Sequence, residues 1–188
     1  MTDATTEPAA APPGRDATVS FEAANVIALL FLPLAAAPVA AHAALWGRAS
    51  LLAGLGDLFP WAFLPAFLAS IVAHEALHAA GFLLLGRAPR RAIRFGLDRA
   101  TLSPFAGCRV PLRAGAYRAA VLLPALVLGA GPAAWGLWRG AGWATLWGAF
   151  MLLCAGGDFA VLWAMRRVPA RARVLDHPER VGCQVVEE

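Results

Sequence analysis

The sequence predicts an all-α integral membrane protein of about four transmembrane helices, with a small β-hairpin or irregular loop on the cytoplasmic side. Three observations lead there. Hydrophobic residues make up 60% of the 188 residues and charged residues only 15%, against about 25% charged in soluble domains. The mean hydropathy is +0.62. The charges are also segregated, falling mostly between four long apolar segments. This composition excludes a disordered chain, a collagen-like repeat and a disulfide scaffold. The net charge of +4 does not indicate a nucleic-acid partner, because the arginines lie between apolar runs rather than on one polar domain. Cys108, Cys154 and Cys183 are too widely spaced for a CxxC motif.

Residues 1–20 read as a disordered cytoplasmic tail, rich in Ala, Pro, Thr and Asp. A signal peptide fits less well, since Asp3, Glu7, Asp16 and Glu22 precede the first apolar run. A single domain over residues 21–188 follows, with spans at about 24–46, 58–86, 118–138 and 142–165. Each has the roughly 20 apolar residues that a helix needs to cross a bilayer, and only helices or closed barrels satisfy their backbone there. Pro33, Pro38, Pro65, Pro124 and Pro132 predict kinks or breaks. The connection from Arg87 to Arg118 carries eight arginines, while those around Arg48 and Arg139 are short and carry one each. Positive residues stay inside, which predicts a multi-pass protein of the cell membrane with both termini cytoplasmic. Within the basic connection, residues 92–97 and 101–110 suggest a hairpin, with Ser103-Pro104 and Gly107 as turn signals.

Ionisable groups inside an apolar run are costly and mark function. His42, His74, Glu75, His78 and Asp158 are such groups. His74-Glu75-Ala76-Leu77-His78 is HExxH. On a helix its two histidines share one face and can bind one zinc ion, leaving the glutamate to act on a water held there. A third ligand is expected. Position 84 is Leu84, so the HExxHxxGxxH extension fails, and the next glutamate is Glu179 in the basic tail. Asp98, Asp158, Asp176 and His177 remain. His78 lies nine residues before Arg87 and Asp158 eight before Arg166, so both sit about 12–14 Å from the same membrane face. That selects His74, His78 and Asp158 as metal ligands and Glu75 as general base. Gly156-Gly157 would permit close helix approach or local unwinding. His42, six residues from Arg48, is expected at the opposite interface. His177 remains a lesser candidate for folding back over the site. Trp46, Trp61, Trp138 and Trp143 fall near predicted membrane edges, and Cys154, one turn before Asp158, can face the site but reads first as a buried small hydrophobe.

The segment His74-Glu75-Ala76-Leu77-His78-Ala79-Ala80-Gly81 resembles the motif of the putative zincin peptidase family of small bacterial membrane proteins. The likeness covers about residues 60–186. It takes in Phe95-Gly96, Tyr117 ahead of Leu123-Pro124, Gly157-Asp158, and Asp176-His177-Pro178 with Val181-Gly182. The resemblance implies a zinc-dependent membrane peptidase. More distantly, an HExxH within the membrane and an aspartate on a later helix resemble site-2 proteases, although Gly156-Gly157-Asp158-Phe159 departs from the Asp-Gly expected there. The expected partners are the lipid bilayer and a membrane-protein or peptide substrate, which a strand of the 87–118 connection can pair with. Two other readings stay open at this point. One is a non-hydrolytic metal-binding membrane protein, a transporter or sensor. The other is a helical scaffold with a structural polar cluster.

Overall fold

The computed structural model describes residues 15–58, 63–98, 103–177 and 180–187. The first apolar run forms α1 (Phe21–Leu30) and α2 (Leu32–Trp46), interrupted at Phe31. Pro33 falls at the start of α2, where its missing N–H costs nothing. α3 (Arg48–Leu58) follows directly. α4 (Phe63–Leu84) has 22 residues, about 33 Å at 1.5 Å per residue. The third run comprises α5 (Ala114–Pro124), a π-helical stretch over Ala125–Ala130, and α6 (Gly131–Arg139). α7 (Gly142–Cys154) and α8 (Gly156–Ala164) complete the helices. Three helical runs, Phe21–Trp46, Phe63–Leu84 and Ala114–Arg139, are long and apolar enough to cross a membrane. The pair α7 and α8, bent by 46°, qualifies as a fourth when taken together. The expected helical architecture and its apolar spans are therefore present.

The strands occupy the chain positions where these runs begin or end. β2 (Ile93–Asp98) and β3 (Ser103–Cys108) form the antiparallel hairpin expected in the basic connection. A second sheet, unanticipated, has the order β1-β6-β5-β4, with β1 (Arg15–Val19), β4 (Leu112–Arg113), β5 (Arg173–Asp176) and β6 (Val181–Glu187). The two sheets meet where the Cys108 amide donates to Asp176 Oδ2 at 2.6 Å. The core beneath them gathers Phe82, Tyr117, Met165, Val174 and Cys183. Burial pushes the Cys183 thiol up to about 12, consistent with a packing role.

Three expectations need correction. The tail is not disordered throughout: residues 15–19 are a strand, with Ala17 opposite Cys183. Its partner is far away in sequence, so local composition carried no sign of it. Residues 1–14 lie outside the described residues, as does Trp61. The connection around Arg48 is not a short loop but the 11-residue helix α3. The fourth run does break at Ala155, beside the Gly156-Gly157 pair expected to permit local unwinding. Gly156 there lets α8 press on α1, and a Cβ at this position would lie 2.9 Å from that of Ala28.

The third correction concerns His42. It lies near the end of α2, as its depth predicts, but it faces into the bundle and is fully buried. Its Nδ1 lies 2.8 Å from Thr145 Oγ1 on α7, and its Nε2 lies 3.0 Å from Ser50 Oγ on α3. The Ser50 hydroxyl donates to the Gly140 carbonyl, leaving its oxygen to accept from the imidazole. Two hydroxyls thus make burial tolerable for a polar ring. Nearby, the Trp46 indole donates to the Leu137 carbonyl at 2.8 Å. This network holds α2 and α3 against the α6–α7 turn. His42→Ala removes one partner from each hydroxyl, leaves a void in the packing and should cost about 1–3 kcal/mol. A lowered unfolding midpoint in detergent, with the fold otherwise retained, is the expected result. An unchanged midpoint would show that the network is energetically idle.

Candidate metal centre

The site starts from the approach of α4 to α5. Gly81 makes it possible: a Cβ there would lie 2.6 Å from both Cα and Cβ of Ala120. At this crossing His78 Nδ1 meets the Ala120 carbonyl oxygen at 3.1 Å. The carbonyl is available for a sequence reason. Four residues later stands Pro124, which has no N–H to donate to it. A carbonyl only accepts, so Nδ1 carries the proton and the neutral ring presents a lone pair at Nε2. That fixed tautomer is what a metal-ligating imidazole needs.

One turn earlier, His74 Nε2 lies 3.1 Å from His78 Nε2. Asp158 closes the triangle, with Oδ2 3.2 Å from His74 Nε2 and Oδ1 3.2 Å from His78 Nε2. The break at Ala155 places Asp158 in the first turn of α8 rather than mid-helix. The positive end of the helix dipole favours a carboxylate there. Phe31, at the interruption between α1 and α2, stacks on Phe159 at 4.8 Å and anchors this turn. His74, His78 and Asp158 each offer a ligand atom within 4.8 Å of the others.

The donor set fits a divalent metal. Two imidazole nitrogens and a carboxylate are first-row metal ligands and leave room for a fourth. One further observation favours a cation: Asp158 Oδ2 is buried and has no hydrogen-bond partner. It is close to His74 Nε2, yet not aligned with it as a hydrogen bond. An acceptor in that state calls for a positive neighbour.

Glu75 lines the same cleft as His74, together with Phe67, Ile71, Met151 and Cys154. The cleft holds about 300 Å³. Ser103 and Pro104 of β3 form part of its wall, and the Ala106 amide hydrogen-bonds the Glu75 carboxylate. Cys154 is exposed and lines the cleft, contrary to the buried role expected. The 3.6-residue period that sets it one turn before Asp158 was the available signal.

The chain belongs to the putative zincin peptidase family. The family model of that description matches residues 67–173, more than half of the sequence, and the match includes His74, Glu75, His78 and Asp158. It is narrower than the likeness read from the sequence and leaves the Asp176-His177-Pro178 segment outside. No curated protein and no solved structure matches the chain.

That outlying segment nevertheless buttresses the centre. Asp176 is not a ligand; it accepts from the Tyr117 hydroxyl at 2.5 Å and from the Cys108 amide. Burial raises its carboxyl above the usual range, against the opposing pull of these two hydrogen bonds. Tyr117 stacks on Phe82 at 5.6 Å and Phe82 on His78 at 6.4 Å, which joins the tail to this candidate ligand by ring contacts. His177 Nδ1 accepts from the Arg180 amide, and its backbone amide donates to Gly182. It belongs to the β5–β6 connection, not to the His–Asp cluster. The Asp98 side chain falls outside what the structure describes.

Gly81→Ala should drive α4 away from α5 and break the His78–Ala120 bond. Disrupting such an outer partner weakens metal binding by about 10–100-fold. Zinc titration of the purified variant tests this, with Gly56→Ala as control because nothing lies within 4 Å of a Cβ there. Equal affinities for the two variants would refute the role given to the crossing.

Proposed function

We propose that this protein is a zinc-dependent, membrane-embedded peptidase that hydrolyses peptide bonds near the cytoplasmic face. One observation carries the reading: HExxH histidines on α4 and Asp158 on α8 converge within 4.8 Å, beside Glu75 in a shared cleft. In this reading His74, His78 and Asp158 hold the ion. Zinc in such a site supplies Lewis acidity, polarising a carbonyl oxygen and acidifying water. Glu75, adjacent to His74 in sequence, accepts the proton from the attacking water on a carboxylate oxygen and returns it to the departing amine nitrogen. His78 keeps its Nδ1 proton on the Ala120 carbonyl throughout, so the ring does not compete for that transfer.

The surroundings support a substrate from the membrane. Ser70 lines both the catalytic cleft and an adjoining groove of about 620 Å³ walled by Ala66, Ala69, Trp143 and Trp147. Phe67 reaches across to Phe150 at 5.6 Å between α4 and α7. Apolar substrate segments can reach the cleft along this groove. Ser103 and Pro104 at the start of β3 border the cleft, so an extended peptide entering it passes beside this strand. The arginine-rich connection after α4 supports a cytoplasmic location for this end.

Glu75→Gln keeps the three ligands and removes the base. Zinc content should equal that of the parent protein, while cleavage of a membrane-segment substrate library falls at least about 100-fold. Equal cleavage by both proteins would eliminate Glu75 as the base. Zinc-loaded parent protein that cleaves nothing in the library would instead favour a non-hydrolytic metal binder.

A further inference from the structure

A cavity of about 590 Å³ lies where α4 ends and α5 begins. Arg87, Arg113 and Arg173 line it, and none of its ten lining residues is acidic. Two features mark these arginines. Arg113 on β4 and Arg173 on β5 are direct cross-strand partners, which brings two like charges to one wall of the cavity, while Arg173 also stands opposite Glu187 on β6 and donates to the Pro111 carbonyl. Arg87 has φ +54°, the left-handed region, where glycine is the inexpensive choice. Gly86 stands next to it but does not take that conformation. That conformation closes α4, with the Ala88 amide donating to the Phe82 carbonyl, and it places a third arginine at the cavity wall. The start of α5 is not itself the attraction, because the amides of Ala114 and Gly115 already donate to Ala172 and Ala170.

We infer that this cavity binds the phosphate headgroup of an anionic phospholipid. Three guanidinium groups line one cavity without an acidic residue among its lining, and guanidinium groups match phosphate oxygens in paired hydrogen bonds. A lipid is the source that the surroundings favour. The cavity sits at the end of a 22-residue apolar helix, at headgroup level for a spanning α4. Leu84 and Leu85, on the last turn and just beyond it, are 75% and 49% exposed and offer acyl chains an apolar track from the cavity rim. The inference shares with the proposed function only the membrane location and does not depend on peptidase activity.

The test uses the full chain in a non-ionic detergent, titrated with short-chain phosphatidylglycerol and followed by native mass spectrometry. The parent protein should bind one lipid. Arg87→Gly should weaken binding about tenfold, the loss of roughly one charged contact. Its unfolding temperature should hold or rise, because glycine adopts the left-handed conformation freely. Arg113→Gln with Arg173→Gln should abolish binding. Arg90→Gln with Arg91→Gln, on the same connection but outside the cavity lining, should bind as the parent does. Equal losses in the control and cavity variants would reduce the effect to general charge and overturn the site, as would unaltered binding by Arg87→Gly. Displacement of the lipid by an equal concentration of inorganic phosphate would assign the cavity to a soluble phosphate and overturn the lipid.

Discussion

The hydrogen bond from His78 to the Ala120 carbonyl is the contact on which the rest of the centre depends. It needs three residues that do not touch one another's chemistry. Pro124 withdraws the helical donor from Ala120, Gly81 lets the two backbones close, and His78 fills the vacancy. The bond sets the tautomer of one candidate ligand and the orientation of its ring. From that ring the packing continues through Phe82 and Tyr117 to Asp176, so the sheet at the chain's end is tied to the helix crossing at its centre. A carbonyl left over by a proline is a liability in an apolar environment. Here it positions a histidine.

The second constraint is that two interrupted helical runs meet. The first run turns at Phe31 and the last at Ala155, and Phe31 stacks on Phe159 just past the second break. A straight fourth run would keep Asp158 in a helix interior. The 46° bend gives it a first-turn place, where the dipole favours its charge. Gly156, pressed against Ala28, permits both the bend and the contact between the two runs.

What was legible in the sequence was what local spacing controls. Hydropathy located the apolar runs because a spanning helix must be apolar over its own length. HExxH identified His74, Glu75 and His78 because four-residue spacing fixes a shared helix face. Distance from the arginines brought Asp158 to their level because rise per residue is constant. Facing, in contrast, is set by neighbours. Depth placed His42 at the far end of its run but did not reveal that Thr145 and Ser50 would enclose it. The strand at residues 15–19 was hidden for the same reason, as its ladder is completed by residues 181–185. Ala155 was visible only as the neighbour of two glycines, and Cys154 turned toward the cleft once the helix broke beside it.

The two sets of buried histidines show how partners, rather than depth or burial, separate scaffolding from chemistry. His42 is the more deeply buried, yet both its nitrogens meet hydroxyls and one of those hydroxyls passes its own proton to a carbonyl. Its polar demand is met inside the bundle, and nothing further is needed to explain it. His74 and His78 instead turn their Nε2 atoms toward each other and toward a carboxylate that has one oxygen without a hydrogen bond. Three ligand atoms, one of them anionic, converge there, and a positive charge between them, whether a proton or a metal ion, satisfies all three. Packing alone would not hold such an arrangement, because a Leu or Met at any of the three positions would remove the conflict at little steric cost. The polar groups at this end therefore point to a cation, and Glu75 lines the cleft beside them.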